Sequence, residues 1–219
     1  MSEKKYSLLI FDWDGTLADS AKIIVDTMQA AIAGLQLPPR DDQTIRELIG
    51  LGMNDVLTSL YPELELAQLQ QMLAGYRSQW QAAGMQEAPL FERALDAVKQ
   101  LHDEGYRIAI ATGKSRRGLD RSLKHHREIH ALVHNSRCAD ETLSKPDPLM
   151  LKQLLEEEGL AAEQALMIGD TEFDLAMARS IGMPGVGVTC GVHHPERLLK
   201  AGAVALIESV AALPGWLRG

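Results

Sequence analysis

Ser7-Leu8-Leu9-Ile10-Phe11-Asp12-Trp13-Asp14-Gly15-Thr16 is a short apolar run that stops abruptly at two aspartates and a glycine. A run of four or five residues, apolar on both faces, is the pattern of a strand buried inside a parallel sheet. Five further runs of this kind follow, at Ile108–Ala111, Ala131–His134, Ala165–Ile168, Gly185–Val188 and Val204–Ile207. Between them lie amphipathic stretches, Glu92–Glu104, Arg116–His125, Pro148–Glu158, Glu172–Ile181 and Pro195–Lys200. Gly105, Gly159, Gly182 and Gly202 each stand just past a helical stretch, where a left-handed cap favours glycine. Strand alternating with helix predicts an α/β fold, a doubly wound, Rossmann-like parallel sheet.

One region breaks the alternation. From Ala18 to Met85 there is helical periodicity and no strand pattern, interrupted by Pro38-Pro39, Gly50-Leu51-Gly52 and Tyr61-Pro62. The expected organisation is therefore an α/β catalytic core from residues 1–17 and 86–219, with an all-helical cap, residues 18–85, inserted after the first strand.

Composition excludes several classes. Of 219 residues, 46% are hydrophobic and 24% charged, which fits a globular protein and not a disordered chain. Lysine and arginine number 22 against 30 acids, a balance unsuited to neutralising a nucleic-acid backbone. No stretch reaches the roughly twenty apolar residues of a membrane span, and the N-terminal run is too short for a secretory leader. Cys138 and Cys190 stand far apart and are expected as two free buried thiols in a reducing cytoplasm, with a single bridge between them as the alternative. The expected partner is a small molecule rather than nucleic acid or membrane.

In an open α/β sheet, ligands bind beyond the carboxyl ends of the strands. The first strand is followed by Asp12-Trp13-Asp14-Gly15-Thr16, the second by Thr112-Gly113-Lys114 and the fourth by Gly169-Asp170-Thr171-Glu172-Phe173-Asp174. Ser144-Lys145-Pro146-Asp147-Pro148 precedes the helix that leads into the fourth strand. Asp12, Asp14, Asp170 and Asp174 would repel one another without a cation between them. Hard oxygen ligands in this number suit Mg²⁺. Lys145 can add a positive charge, and the backbone N–H groups around Thr112 and Gly113, at a helix start, can cradle a phosphate.

Those four motifs, in that order and spacing, resemble the haloacid dehalogenase-like superfamily over essentially the whole chain. The pattern is most similar to its phosphoglycolate phosphatase-like group, and the helical insertion falls where the superfamily carries its first type of cap. The resemblance implies Asp12 as a nucleophile that forms an aspartyl-phosphate, and Asp14 as general acid and then base. It implies Thr112, Gly113 and Lys145 on the phosphoryl oxygens. It further implies Mg²⁺ held by Asp12, the backbone carbonyl of Asp14 and Asp170, with Asp174 supporting the metal shell. Relatives that cleave carbon–halogen bonds lack an aspartate two places after the nucleophile, so Asp14 favours phosphate chemistry. Phosphonate-cleaving relatives need a cap lysine, whereas Lys22, the only lysine between Leu17 and Pro89, comes too early. Mutase relatives use a histidine in the first cap helix, and Ser20–Gly34 contains none. A phosphatase acting on a small phosphorylated metabolite is the expectation, with a pyrophosphatase or nucleotidase, or a non-catalytic binding module, as alternatives.

Several residues carry weaker signals. The turn Gly50-Leu51-Gly52-Met53-Asn54 either joins two cap helices or dips toward the site; in the second case Arg46 and Asn54 would meet the leaving group. His125, His126 and His130 are expected on a solvated surface and not as a metal site. Glu172 is expected to serve the helix start alone. Met53, Met85 and the cap leucines are read as packing residues. Trp13 is bulkier than the superfamily pattern leads one to expect at that position.

Overall fold

A computed structural model of the protein describes residues 4–82 and 87–219. Six parallel strands form one sheet: β1 (Leu8–Phe11), β2 (Arg107–Thr112), β3 (Val133–Cys138), β4 (Ala165–Gly169), β5 (Gly185–Val188) and β6 (Ala205–Ile207). Their spatial order, β3-β2-β1-β4-β5-β6, reverses direction between β1 and β4. That reversal opens a crevice at the carboxyl ends of those two strands, and the motif aspartates follow them. β1 is fully buried because both faces are covered. Leu9 and Phe11 face a core shared with Val98, Leu101 and Leu213, while Leu8 and Ile10 face Leu151, Leu154 and Met177.

The covering helices are α5 (Ala94–Asp103), α6 (Arg116–His125), α8 (Leu149–Glu158), α9 (Glu172–Arg179), α10 (Pro195–Ala201) and α11 (Leu213–Arg218), with one short turn, α7 (Arg127–His130), before β3. Gly105, Gly159, Gly182 and Gly202 all adopt positive φ, as their places after helices require.

The third strand differs from expectation. It begins two residues late and runs to Cys138 through the polar sequence His134-Asn135-Ser136-Arg137. β3 is the edge strand, half exposed, so its polar side chains hydrogen-bond around it instead of packing in a core. Arg137, for example, donates to Gln153 and to the carbonyl of Ser136. An apolar pattern could not mark such a strand.

Between β1 and α5 lie α1 (Ala21–Gly34), α2 (Asp42–Arg46), α3 (Met53–Leu60) and α4 (Leu66–Ala82). They pack around their own apolar cluster, which includes Met28, Ile45, Leu57, Tyr61 and Met72. The two connections to the sheet run side by side: Asp19 N–H donates to Pro89 O at 2.9 Å, and Phe91 N–H to Leu17 O at 2.9 Å. The expected boundary at residues 85 and 86, and Met85 itself, fall outside the described residues.

Candidate active site

Asp12 leaves the end of β1 with its N–H bonded to Ile168 O of β4 at 2.9 Å, which draws the first and fourth motifs together. Gly15 then turns the chain at φ 85°, a conformation that costs glycine little. A Cβ at Gly15 would meet Asp170 Oδ2 at 2.2 Å, and one at Gly191 would meet it at 2.1 Å. Two glycines thus clear the space that the Asp170 carboxylate occupies.

Asp12, Asp170 and Asp174 are fully buried, and one carboxylate oxygen from each lies within 4.8 Å of the others. Thr16 Oγ1 donates to Asp170 Oδ1 at 3.0 Å, and Val192 N–H to Asp170 Oδ2 at 2.8 Å. Thr171 caps α9 and its hydroxyl donates to Asp174 Oδ2 at 2.6 Å. Lys145, equally buried, places its Nζ 2.5 Å from Asp12 Oδ1 and 2.6 Å from Asp174 Oδ1. Asp12 Oδ2 is buried without a hydrogen-bond partner among the described residues.

The electrostatics follow from this crowding. Burial drives Asp12 well above the usual carboxylate range, with Lys145 opposing and the neighbouring aspartates adding to the rise. Burial, then the charge of Asp174, pushes Asp170 up to about 7. Burial alone would lower the Lys145 ammonium, but Asp12 and Asp174 outweigh it and raise it. Three buried carboxylates share a single ammonium, which can balance only one of them once all are ionised.

Asp14 stands apart from this cluster. Its carboxylate pairs with Lys114 Nζ at 3.0 Å and does not join the three clustered carboxylates. Thr112 ends β2, fully buried, and its hydroxyl accepts Lys114 N–H at 3.2 Å. The insertion reaches this point directly. A Cβ on Gly113 would lie 2.5 Å from the carbonyl oxygens of both Gly50 and Leu51, and Gly52 N–H donates to Ser144 Oγ at 2.7 Å. The Gly50–Asn54 turn therefore enters between the second and third motifs.

A cleft of about 580 Å³ lies between the insertion and the sheet, with Asp12, Asp14, Gly113 and Lys114 among its lining residues. Arg46 and Asn54 do not line it. Arg46 instead donates to Gly191 O at 3.4 Å, and Asn54 is exposed at the start of α3. Each sits on a side of its helix turned from the cleft, which their places beside the turn did not reveal. His126 is half buried rather than solvated: its Nε2 lies 2.9 Å from Ala88 O, and its ring packs 5.9 Å from that of Trp13. Trp13 is a core residue and does not line the cleft. Glu172 has a partner beyond its helix start, pairing with Arg197 at 2.7 Å. Cys138 and Cys190 are both free, but Cys190 is half buried where full burial was expected.

Sequence reasoning missed Tyr76, Trp80, Arg117, Arg121 and Lys124, which line the cleft opposite Asp14. A signal existed: 117, 121 and 124 follow helical spacing and place three cations on one face of α6.

Residues 9–188 match the family of haloacid dehalogenase-like hydrolases. The chain belongs to that family. It is 29% identical to a phosphoglycolate phosphatase of Rhodospirillum rubrum, over 95% of this chain and 90% of that one. It is also 29% identical to a probable phosphatase, IndB, of Dickeya dadantii, over 95% and 92%. Among solved structures, a hydrolase from Pseudomonas syringae superimposes with a TM-score of 0.87 at 25% identity, covering 97% of this chain and 98% of that one. As a haloacid dehalogenase-like hydrolase, the chain carries its motif residues at the sheet's switch point, and the insertion forms the opposite wall of the cleft.

Proposed function

We propose that this chain is a Mg²⁺-dependent phosphatase that hydrolyses a small organic phosphate monoester through an aspartyl-phosphate on Asp12. The observation that carries the reading is the unpartnered, buried Oδ2 of Asp12, on a residue that lines the cleft and sits against Lys145. The names of the curated relatives make phosphoglycolate the first substrate to try.

The residues fit a divalent cation. Three clustered buried carboxylates against one lysine, all offering hard oxygen donors, are a set that Mg²⁺ coordination would neutralise. Asp12 and Asp170 would hold the ion, with the Asp14 carbonyl contributing and Asp174 supporting. Bound there, Mg²⁺ supplies neutralisation of charge on the phosphoryl oxygens.

The chain's own groups account for the rest. The Lys145 ammonium, Thr112 hydroxyl and Gly113 N–H hold the phosphoryl oxygens in line with Asp12. Asp12 Oδ2 forms a bond to phosphorus as the ester P–O bond breaks, and Asp14 gives its proton to the departing oxygen. Asp14 then takes a proton from water as that water attacks phosphorus, freeing Asp12 and inorganic phosphate. Two steps of moderate barrier replace one of high barrier. The insertion, whose connections to the sheet pair at Asp19 with Pro89 and at Leu17 with Phe91, acts as a cap that excludes water from the acyl phosphate. No helix among the described residues is long and apolar enough to cross a membrane. The two free thiols suit a reducing cytoplasm.

The test is turnover of p-nitrophenyl phosphate with Mg²⁺, after exhaustive chelation, and by Asp12→Asn. The expected result is loss of turnover in both of the latter. Activity of Asp12→Asn within about tenfold of wild type would overturn the assignment.

A further inference from the structure

The part of the cleft wall around Trp80, linked to Asp14 through Lys114, has a composition of its own. On the insertion side it is apolar, with Met28, Ile45, Ile49 and Leu73. The same lining includes Tyr76 and Trp80, one helical turn apart on α4 with ring centroids 6.2 Å from each other. Trp80 is only 7% exposed, yet its indole Nε1 has no acceptor among the described residues. A buried donor left without a partner is costly, and ligand sites are where that cost is recovered.

The surroundings of that donor are cationic. The Arg121 guanidinium lies 5.1 Å from the Trp80 ring centroid and the Lys114 ammonium 5.8 Å. Arg117 and Lys124, one turn to either side of Arg121 on α6, also line the cleft, as does Arg77 of α4. Lys114 is engaged by Asp14 and Arg121 by Glu87, while the nearby Asp120 is held by Arg116. Arg77, Arg117 and Lys124 form no ion pair among the described residues. The lining carries these five cations against Asp12, Asp14, Asp120 and Asp140, a small local excess of positive charge in a chain of net charge −8.

Size points the same way. A cleft of about 580 Å³ lies in the range that encloses a ligand of many heavy atoms, and a two-carbon phosphoacid would fill little of it.

We propose that Trp80 Nε1–H, with Arg117, Arg121 and Lys124, forms a second anion subsite, and that the natural substrate is a phosphomonoester whose leaving group has an apolar body ending in a second anionic group. This rests on the phosphatase reading above and narrows its substrate class. The phosphoryl end binds at Asp12 and Lys145, the body lies along Met28, Ile45 and Leu73, and the far anion accepts from the indole N–H. A terminal carboxylate and a terminal phosphate share the chemistry that this subsite recognises.

The experiment compares kcat/KM for phenyl phosphate, 4-carboxyphenyl phosphate, 1,4-phenylene bisphosphate and 2-phosphoglycolate. It uses the wild-type protein, Trp80→Phe, and the exposed pair Arg117→Gln/Lys124→Gln, which does not disturb the core. One or both doubly anionic aryl esters should exceed phenyl phosphate by about tenfold or more, the usual worth of one polar contact to a charged group. The larger of the two ratios identifies the terminal group. In both variants that ratio should fall to within about threefold of unity. A wild-type ratio near one, with phenyl phosphate turned over well, would overturn the subsite and leave the phosphatase reading standing. A ratio that persists in both variants would also overturn it. Phosphoglycolate outperforming both aryl anions would overturn the extended body. Failure to hydrolyse any of the four esters would overturn the phosphatase reading itself.

Discussion

Lys145→Met isolates the electrostatic design of the site. Among the described residues Lys145 is the one cation in contact with two buried carboxylates, and none of the three side chains exceeds 1% exposure. Methionine keeps most of the buried stem but removes the ammonium. Breaking a buried ion pair from one side costs about 3–5 kcal/mol, because the remaining charges have neither water nor a partner. For a chain of this size each kcal/mol moves Tm by roughly 2–4 °C, so the expected loss is about 6–20 °C in EDTA. Asp12→Asn works in the opposite direction. It removes one of three clustered acids, the one whose ionised form burial opposes most, and leaves Lys145 paired with Asp174, so its Tm in EDTA should equal or exceed that of wild type. Mg²⁺ at a hundred times its dissociation constant adds about 2.7 kcal/mol to any variant that binds it. Adding the metal should therefore return several degrees to Lys145→Met. The assay is thermal unfolding of the three proteins with EDTA and with Mg²⁺. A Tm for Lys145→Met within 2 °C or so of wild type in EDTA would refute the reasoning, since the carboxylates would then not depend on the lysine.

Three further outcomes can be measured. Metal-free wild-type protein should lose stability as pH rises from about 4 to about 7: folded Asp170 keeps its proton up to about 7, whereas the unfolded chain gives it up near 3.8. Asp12, raised by the same burial, adds to that slope, so Asp170→Asn should reduce it without abolishing it in a Tm series from pH 5 to 8 in EDTA; an unchanged slope would exclude Asp170 as a source. Gly113→Ala should lower both kcat/KM and Tm, because its Cβ would land on two backbone carbonyls of the Gly50–Leu51 turn that cannot rotate away; full activity with wild-type Tm would mean that the insertion does not press on the site. Arg46→Ala should lower kcat/KM for all esters alike by loosening the contact to Gly191 O, and Asn54→Ala should be silent; a changed substrate ranking in either would return that residue to the cleft.

What could be read from sequence divides along a physical line. The strand-end motifs were legible because each is local: a buried apolar run fixes where the strand ends, and the polar residues that follow must emerge at one edge of a parallel sheet. Asp12, Thr112, Lys145, Asp170 and Asp174 come together for that reason. β3 was misplaced because an edge strand needs no apolar face, and its His134-Asn135-Ser136-Arg137 looks like a loop by composition. Gly113 was read as part of a phosphate cradle, but its lack of a side chain is also demanded by the Gly50 and Leu51 carbonyls, more than sixty positions earlier. The same non-locality hid the far wall of the cleft. Trp80 and Arg121 meet only because α4 of the insertion lies across α6 of the core, and nothing in either helix alone announces the other. On the proposed reading, the attacking group, the lysine and the phosphate cradle lie in short motifs. The proposed leaving-group surface is assembled from two helices that are distant in sequence, so it becomes visible only once those helices are placed against each other.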